Sequence, residues 1–149
     1  NQAINNKSFK QMITMSYKID EIEGIGPAYA EKLLKAGVKS TDDLLKLCCD
    51  TKGRKAISDL TSISTKMLLE WTNMADLMRI SGVGKQFAEL LEATGVDTVK
   101  ELRNRNAANL TAAMAEINAV KKLCKSNPAE AMIDEWVNQA KKLNPLITH

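Results

Sequence analysis

A chain of 149 residues with 44% hydrophobic content can bury a core as one helical domain or two small ones; at 4% aromatic, that core must be mostly Leu, Ile, Met and Ala. A net charge of +3 excludes a polybasic protein that binds nucleic acid through its field alone. No apolar run reaches the roughly 18 residues of a membrane span, no signal-peptide pattern appears, and three cysteines fit neither a disulfide framework nor a zinc spacing, so a reduced, cytoplasmic setting is expected.

Residues 1–14 are polar and repeat-free, with Asn1, Gln2, Asn5, Asn6, Lys7 and Ser8. Because Met15-Ser16-Tyr17-Lys18 reads as a natural start, they are set aside as a mobile tail or an added segment. A short helix follows, with Tyr17, Ile19 and Ile22 as apolar contacts, and then the turn Ile22-Glu23-Gly24-Ile25-Gly26-Pro27. A second helix over about 27–36 places Ala30, Leu33 and Leu34 on one face, and Gly37 ends it. Ser40 and Asp43 open the next helix as a capping box. Lys52, Arg54 and Lys55 make 51–59 the most basic patch of the first half. Ser62-Ile63-Ser64 reads as another turn of the same kind with its glycines lost. It leads into a helix over about 64–78, with Met67, Trp71, Met74 and Met78 on one face and Leu68 and Ala75 beside them.

The first turn then returns as Ile80-Ser81-Gly82-Val83-Gly84-Lys85-Gln86-Phe87-Ala88, 58 positions later. At the same offset Leu33 maps to Leu91, Gly37 to Gly95, Val38 to Val96 and Leu44 to Leu102. The cap recurs as Thr98 and Glu101. Asn127-Pro128-Ala129 stands where the second turn belongs, before a helix with Met132, Ile133, Trp136, Val137 and Ala140. The Glu70-Trp71 pair returns as Glu135-Trp136 at an offset of 65, which places about seven inserted residues around 115–128. The expected fold is all-α: two tandem units, 15–78 and 79–143, each with one true and one degenerate hairpin, and a C-terminal tail over 144–149. No Gly/Pro/Ser linker separates the units, so they are expected to pack as one body or to share a rigid helix. The solitary His149 is assigned no chemistry.

The two glycines of each turn have different tasks. The first, Gly24 or Gly82, supplies a positive φ. The second, Gly26 or Gly84, removes a Cβ where the backbone must lie open, directly before a helix that in the first copy starts with Pro27. Ile25 or Val83 between them plugs the gap between helices. Such a turn directs unpaired N–H groups outward at a positive helix terminus, which suits a phosphate.

At these residues the chain resembles the helix-hairpin-helix family of DNA-backbone binders, whose pattern is an apolar position, Gly-apolar-Gly, and Ala four residues on. Over 15–143 it is similar to a bacterial family of tandem helix-hairpin-helix domains without an assigned function. The resemblance implies SAM-like, helical-bundle packing and hairpin amides that grip phosphates without reading sequence. The only cofactor it implies is a monovalent cation at a hairpin. The phosphate-binding residues carried over are Gly82, Val83, Gly84, Lys85 and Gln86 in the second hairpin, and Gly24, Ile25, Gly26 and Ala28 in the first. The second is the better candidate: Lys85 starts its helix, Arg79 precedes the turn, and no acidic residue lies between Arg79 and Ala88. The first is crowded by Asp20, Glu21 and Glu23, which Lys32 and Lys35 offset only in part.

The groups Lys52/Arg54/Lys55, Arg103/Arg105, Lys121/Lys122/Lys125 and Lys141/Lys142 read as solvated helix faces that could flank a backbone track. Trp71 and Trp136 offer rings for base stacking, but their spacing with Met and Leu assigns them to the core. Cys48, Cys49 and Cys124 read as small apolar fillers. No metal-ligand cluster, Walker loop or Ser/His/Asp set points to an enzyme, and the catalytic Asp segment of hairpin-bearing glycosylases is missing. The first expectation is therefore a non-enzymatic, sequence-nonspecific DNA-binding protein. The alternative is a helical scaffold that keeps the hairpin fold for a protein partner or self-association; no membrane is involved in either.

Overall fold

Capping chemistry divides this chain into short helices. In the computed structural model, which describes residues 15–149, the described residues form eight α-helices and no strand. The class is all-α. After a single 3-10 turn at Ile19–Glu21 come α1 (Pro27–Lys35), α2 (Thr41–Cys48), α3 (Thr51–Thr61) and α4 (Thr65–Leu77). The second half holds α5 (Lys85–Ala93), α6 (Val99–Leu102), α7 (Ala107–Lys121) and α8 (Glu130–Lys142). The reading of residues 1–14 falls outside the described residues.

The N-cap half of each expected capping box forms, while the Asp43 carboxylate accepts from the Lys39 amide and that of Glu101 from Arg105. Ser40 Oγ accepts from the Asp43 amide at 3.2 Å and Thr98 Oγ1 from Glu101 at 3.3 Å. Asp50, Ser64 and Asn106 cap α3, α4 and α7 in the same way, each cap contributing about 1 kcal/mol. Behind α1 and α5 the chain reverses through Gly37 and Gly95 at φ 88° and 96°. There Val38 N–H reaches Leu33 O at 2.8 Å and Val96 N–H reaches Leu91 O at 2.9 Å, closing a Schellman motif in each half.

The halves pack alike. The helices α2 and α3 lie on α4 as α6 and α7 lie on α8, while α4 against α5 joins the halves over one continuous core. The inserted residues fall mainly between α7 and α8, where 122–129 replaces the three residues 62–64. The element ahead of the first glycine turn is one 3-10 turn, shorter than the helix expected there. Ahead of the second, α4 itself continues through helical turns to Ile80.

Two tertiary links run between the halves. Asp76 Oδ1 meets Arg79 Nη1 at 2.7 Å with both side chains sealed, and Asp76 Oδ2 accepts from the Val99 amide at 2.9 Å. Arg79 Nη1 also donates to Asn144 O. This corrects the expectation that Arg79 lends its charge to the surface beside the second turn: it is fully buried. The second link is the C-terminal segment, expected as a tail. Thr148 N–H reaches Cys49 O at 2.8 Å, and the buried Arg54 donates to Thr148 O at 2.8 Å and to Cys48 O at 3.0 Å. Arg54 therefore drops out of the basic surface. Among the described residues no helix is long and apolar enough to cross a membrane.

Candidate functional site

The two glycine turns share one geometry. The Ile22 carbonyl accepts from the Ile25 amide and the Ile80 carbonyl from the Val83 amide, both at 3.1 Å. Gly24 and Gly82 sit at φ 94° and 96°, the left-handed region that disfavours any Cβ. Ile25 and Val83 are buried as plugs. With their amides used to close the turn, neither offers a free N–H.

Gly26 and Gly84 differ from the glycines before them. Their φ values of −83° and −89° are open to any residue, and a Cβ on either would meet nothing within 4 Å. Neither conformation nor packing demands glycine there. Both are N-caps whose carbonyls accept from Ala30 and Ala88 at 2.9 Å, and neither provides a side-chain cap. The amides of Lys85, Gln86 and Phe87 thus lack an intrahelical acceptor. In the first turn Pro27 has no N–H, so Ala28 and Tyr29 supply that role. The second turn presents the larger donor set.

Each turn rests on a tryptophan. Nε1 of Trp136 lies 3.2 Å from where a Cβ of Gly82 would be, and Nε1 of Trp71 lies 3.4 Å from that point on Gly24. Phe87 packs on Trp136 and Tyr29 on Trp71, with ring centroids 5.2 Å apart in each pair. The assignment of both tryptophans to the core is correct. The second turn has a further hold: the Gln139 amide accepts from Ser81 N–H at 2.9 Å and donates to Ser81 O at 3.2 Å. Met74 stands at the corresponding place in the first half. Nothing in the residue pattern marks this clamp, because its partner is backbone.

Charge separates the turns. Lys85 and Gln86 are exposed at the head of α5. The first turn brings Glu23 against Glu89 and Glu92 of α5, where with Met74, Ala93, Lys121 and Leu123 they line an open cleft of about 360 Å³. Burial pushes the Glu89 carboxyl above its ordinary value, and Glu23 adds to the rise. Burial and then Glu70, Asp97 and Glu89 do the same for Glu92. The lysines expected to offset this are engaged elsewhere: Lys35 pairs with Glu31 at 3.4 Å and Lys32 lies 6.0 Å from the Tyr29 ring. Arg105 is held by Glu101 at 3.1 Å and by Gly95 O. Lys52, Lys55, Lys125, Lys141 and Lys142 remain as exposed cations.

Cys48 is sealed, and burial lifts its thiol pKa to about 11, which makes it inert. Cys124 donates its thiol to Gln86 O at 3.4 Å, pinning the inserted loop to α5. The described residues hold no His/Cys/Asp/Glu group suited to a metal. A family model described as "Domain of unknown function (DUF4332)" matches residues 23–143, from the first glycine turn to the end of α8. No curated protein and no solved structure matches the chain.

Proposed function

We propose that this chain, which belongs to the DUF4332 family, is a non-enzymatic helix-hairpin-helix protein that grips nucleic-acid backbone phosphates at its second turn without reading sequence. One observation carries the reading. Gly84 occupies an N-cap where neither φ nor packing calls for glycine, and it leaves the α5 amides open while five other helices of the same chain are capped by Ser, Thr, Asp or Asn. A side chain at Gly84 would occupy the place a phosphate needs. Lys85 adds a charge at the same helix end, and Gln139 and Trp136 hold the turn rigid, which lowers the ordering cost of binding.

The first turn takes a lesser part in this reading, since Glu23 and the acidic cleft repel a phosphate. That same cleft favours the second reading, a helical scaffold for a protein partner or self-association. Fluorescence anisotropy of labelled duplex and single-stranded DNA up a salt series separates the two. Binding that weakens linearly in log–log with salt, and that Gly84→Asp abolishes, supports the phosphate grip. No binding at low salt overturns it in favour of the scaffold.

A further inference from the structure

Arg54 is 4% exposed, yet among the described residues it pairs with no carboxylate. A buried cation is costly unless an opposite charge stands beside it. Here Nη1 donates to Cys48 O at 3.0 Å, and Nη2 donates to Thr148 O at 2.8 Å and to Thr51 Oγ1 at 3.4 Å. These bonds engage three of the five guanidinium N–H groups with neutral acceptors and leave the charge itself uncompensated. The side chain forms part of the wall of an open groove of about 720 Å³ between α3 and α4. Lys55, Thr65 and Lys66 line the same groove, and Asp59 is its one acidic side chain among the described residues. Three cations against one acid leave the groove at about +2, which matches the −1.5 to −2 or so of a phosphate monoester or inorganic phosphate at neutral pH.

We infer that this groove is a phosphate site, in which a phosphate dianion meets the Arg54 guanidinium at its base and the exposed Lys55 and Lys66 at its rim. The carbonyls of Cys48 and Thr148 fix the planar fork before any ligand arrives, so little freedom is lost when it takes an oxyanion. Bonds from a guanidinium or an ammonium to phosphate oxygen are charge-assisted, about twice as strong as neutral ones. The site stands apart from the second glycine turn and does not depend on the hairpin reading. The cleft beside the first turn, with Glu23, Glu89 and Glu92 against Lys121, has the opposite sign and takes no such ligand.

The test titrates the whole chain, labelled with ¹⁵N, with inorganic phosphate at constant ionic strength, chloride being the balancing anion. Saturable shifts are expected at the Arg54 side chain and at the amides of Lys55 and Lys66, and Gly84→Asp should leave them unchanged. Lys55→Gln combined with Lys66→Gln, both at exposed positions, should weaken phosphate binding about tenfold. Arg54→Gln should abolish it, and the lysine variant decides the matter if Arg54→Gln folds poorly. Shifts that stay linear in phosphate, or that persist unaltered in the lysine variant, overturn the site. An oligonucleotide with a 5′-phosphate that displaces inorganic phosphate, where its 5′-hydroxyl counterpart does not, supports the site with a nucleic-acid end as its source. Phosphate binding with no difference between the two oligonucleotides supports it with a small phosphate as the ligand.

Discussion

Gly82 and Trp136, 54 residues apart in sequence, form one unit: the indole Nε1 sits 3.2 Å from the Cβ that Gly82 lacks. Gly24 and Trp71 repeat the relationship at 3.4 Å. The glycine that makes the turn is thus also the floor on which the last helix of its half docks.

Gly82→Ala should therefore destabilise the fold by about 1–3 kcal/mol, since the new methyl meets both a left-handed φ and the indole edge. Gly84→Ala, with ordinary φ and nothing within 4 Å, should cost less than about 1 kcal/mol. Urea unfolding of the two variants checks the order; equal losses would break the distinction drawn between the glycines.

Gly84→Ser should raise stability by a few tenths of a kcal/mol, because serine supplies the side-chain cap that α5 lacks. The same hydroxyl takes the amides a phosphate would use, so DNA binding should weaken as stability rises. Opposite signs in a melting curve and an anisotropy titration are the expected pair of results.

The Asp76–Arg79 pair should behave as a buried ion pair does. Removing one partner, in Asp76→Leu or Arg79→Leu, leaves a sealed charge and should cost about 3–5 kcal/mol. The double variant should recover part of that loss, because no lone charge is then left in the core. A double-mutant cycle in urea measures the coupling, and strict additivity would contradict it.

The acidic cleft sets the pH response. Glu92 has its folded-state pKa raised above the ordinary 4.5, by burial first and then by Glu70, Asp97 and Glu89. A raised acid means that the folded state takes up its proton before the unfolded chain does. Its contribution to stability therefore grows as pH falls from neutral toward 4.5. Glu92→Gln should be more stable than wild type near neutral pH and should show a flatter stability profile across that window.

Local chemistry was legible in the sequence. The 58-residue repeat, the positive-φ glycines, the Ser40 and Thr98 N-caps, the helix ends at Gly37 and Gly95, and the core tryptophans all follow from residue type at short range. Each depends on contacts within a turn or on periodicity along one helix, and those travel with the sequence. The destination of long polar side chains did not. Arg79 and Arg54 read as surface cations, yet one meets Asp76 and Asn144 and the other meets Cys48 and Thr148. Gln139 holds a backbone 58 positions away, and Glu23 is set against Glu89 only because α5 packs beside the first turn. An arginine or glutamine carries no mark of its partner when that partner is a carbonyl or amide brought near by packing, so only the tertiary structure could decide which charges lie open and which of the two turns faces a cleft of its own sign.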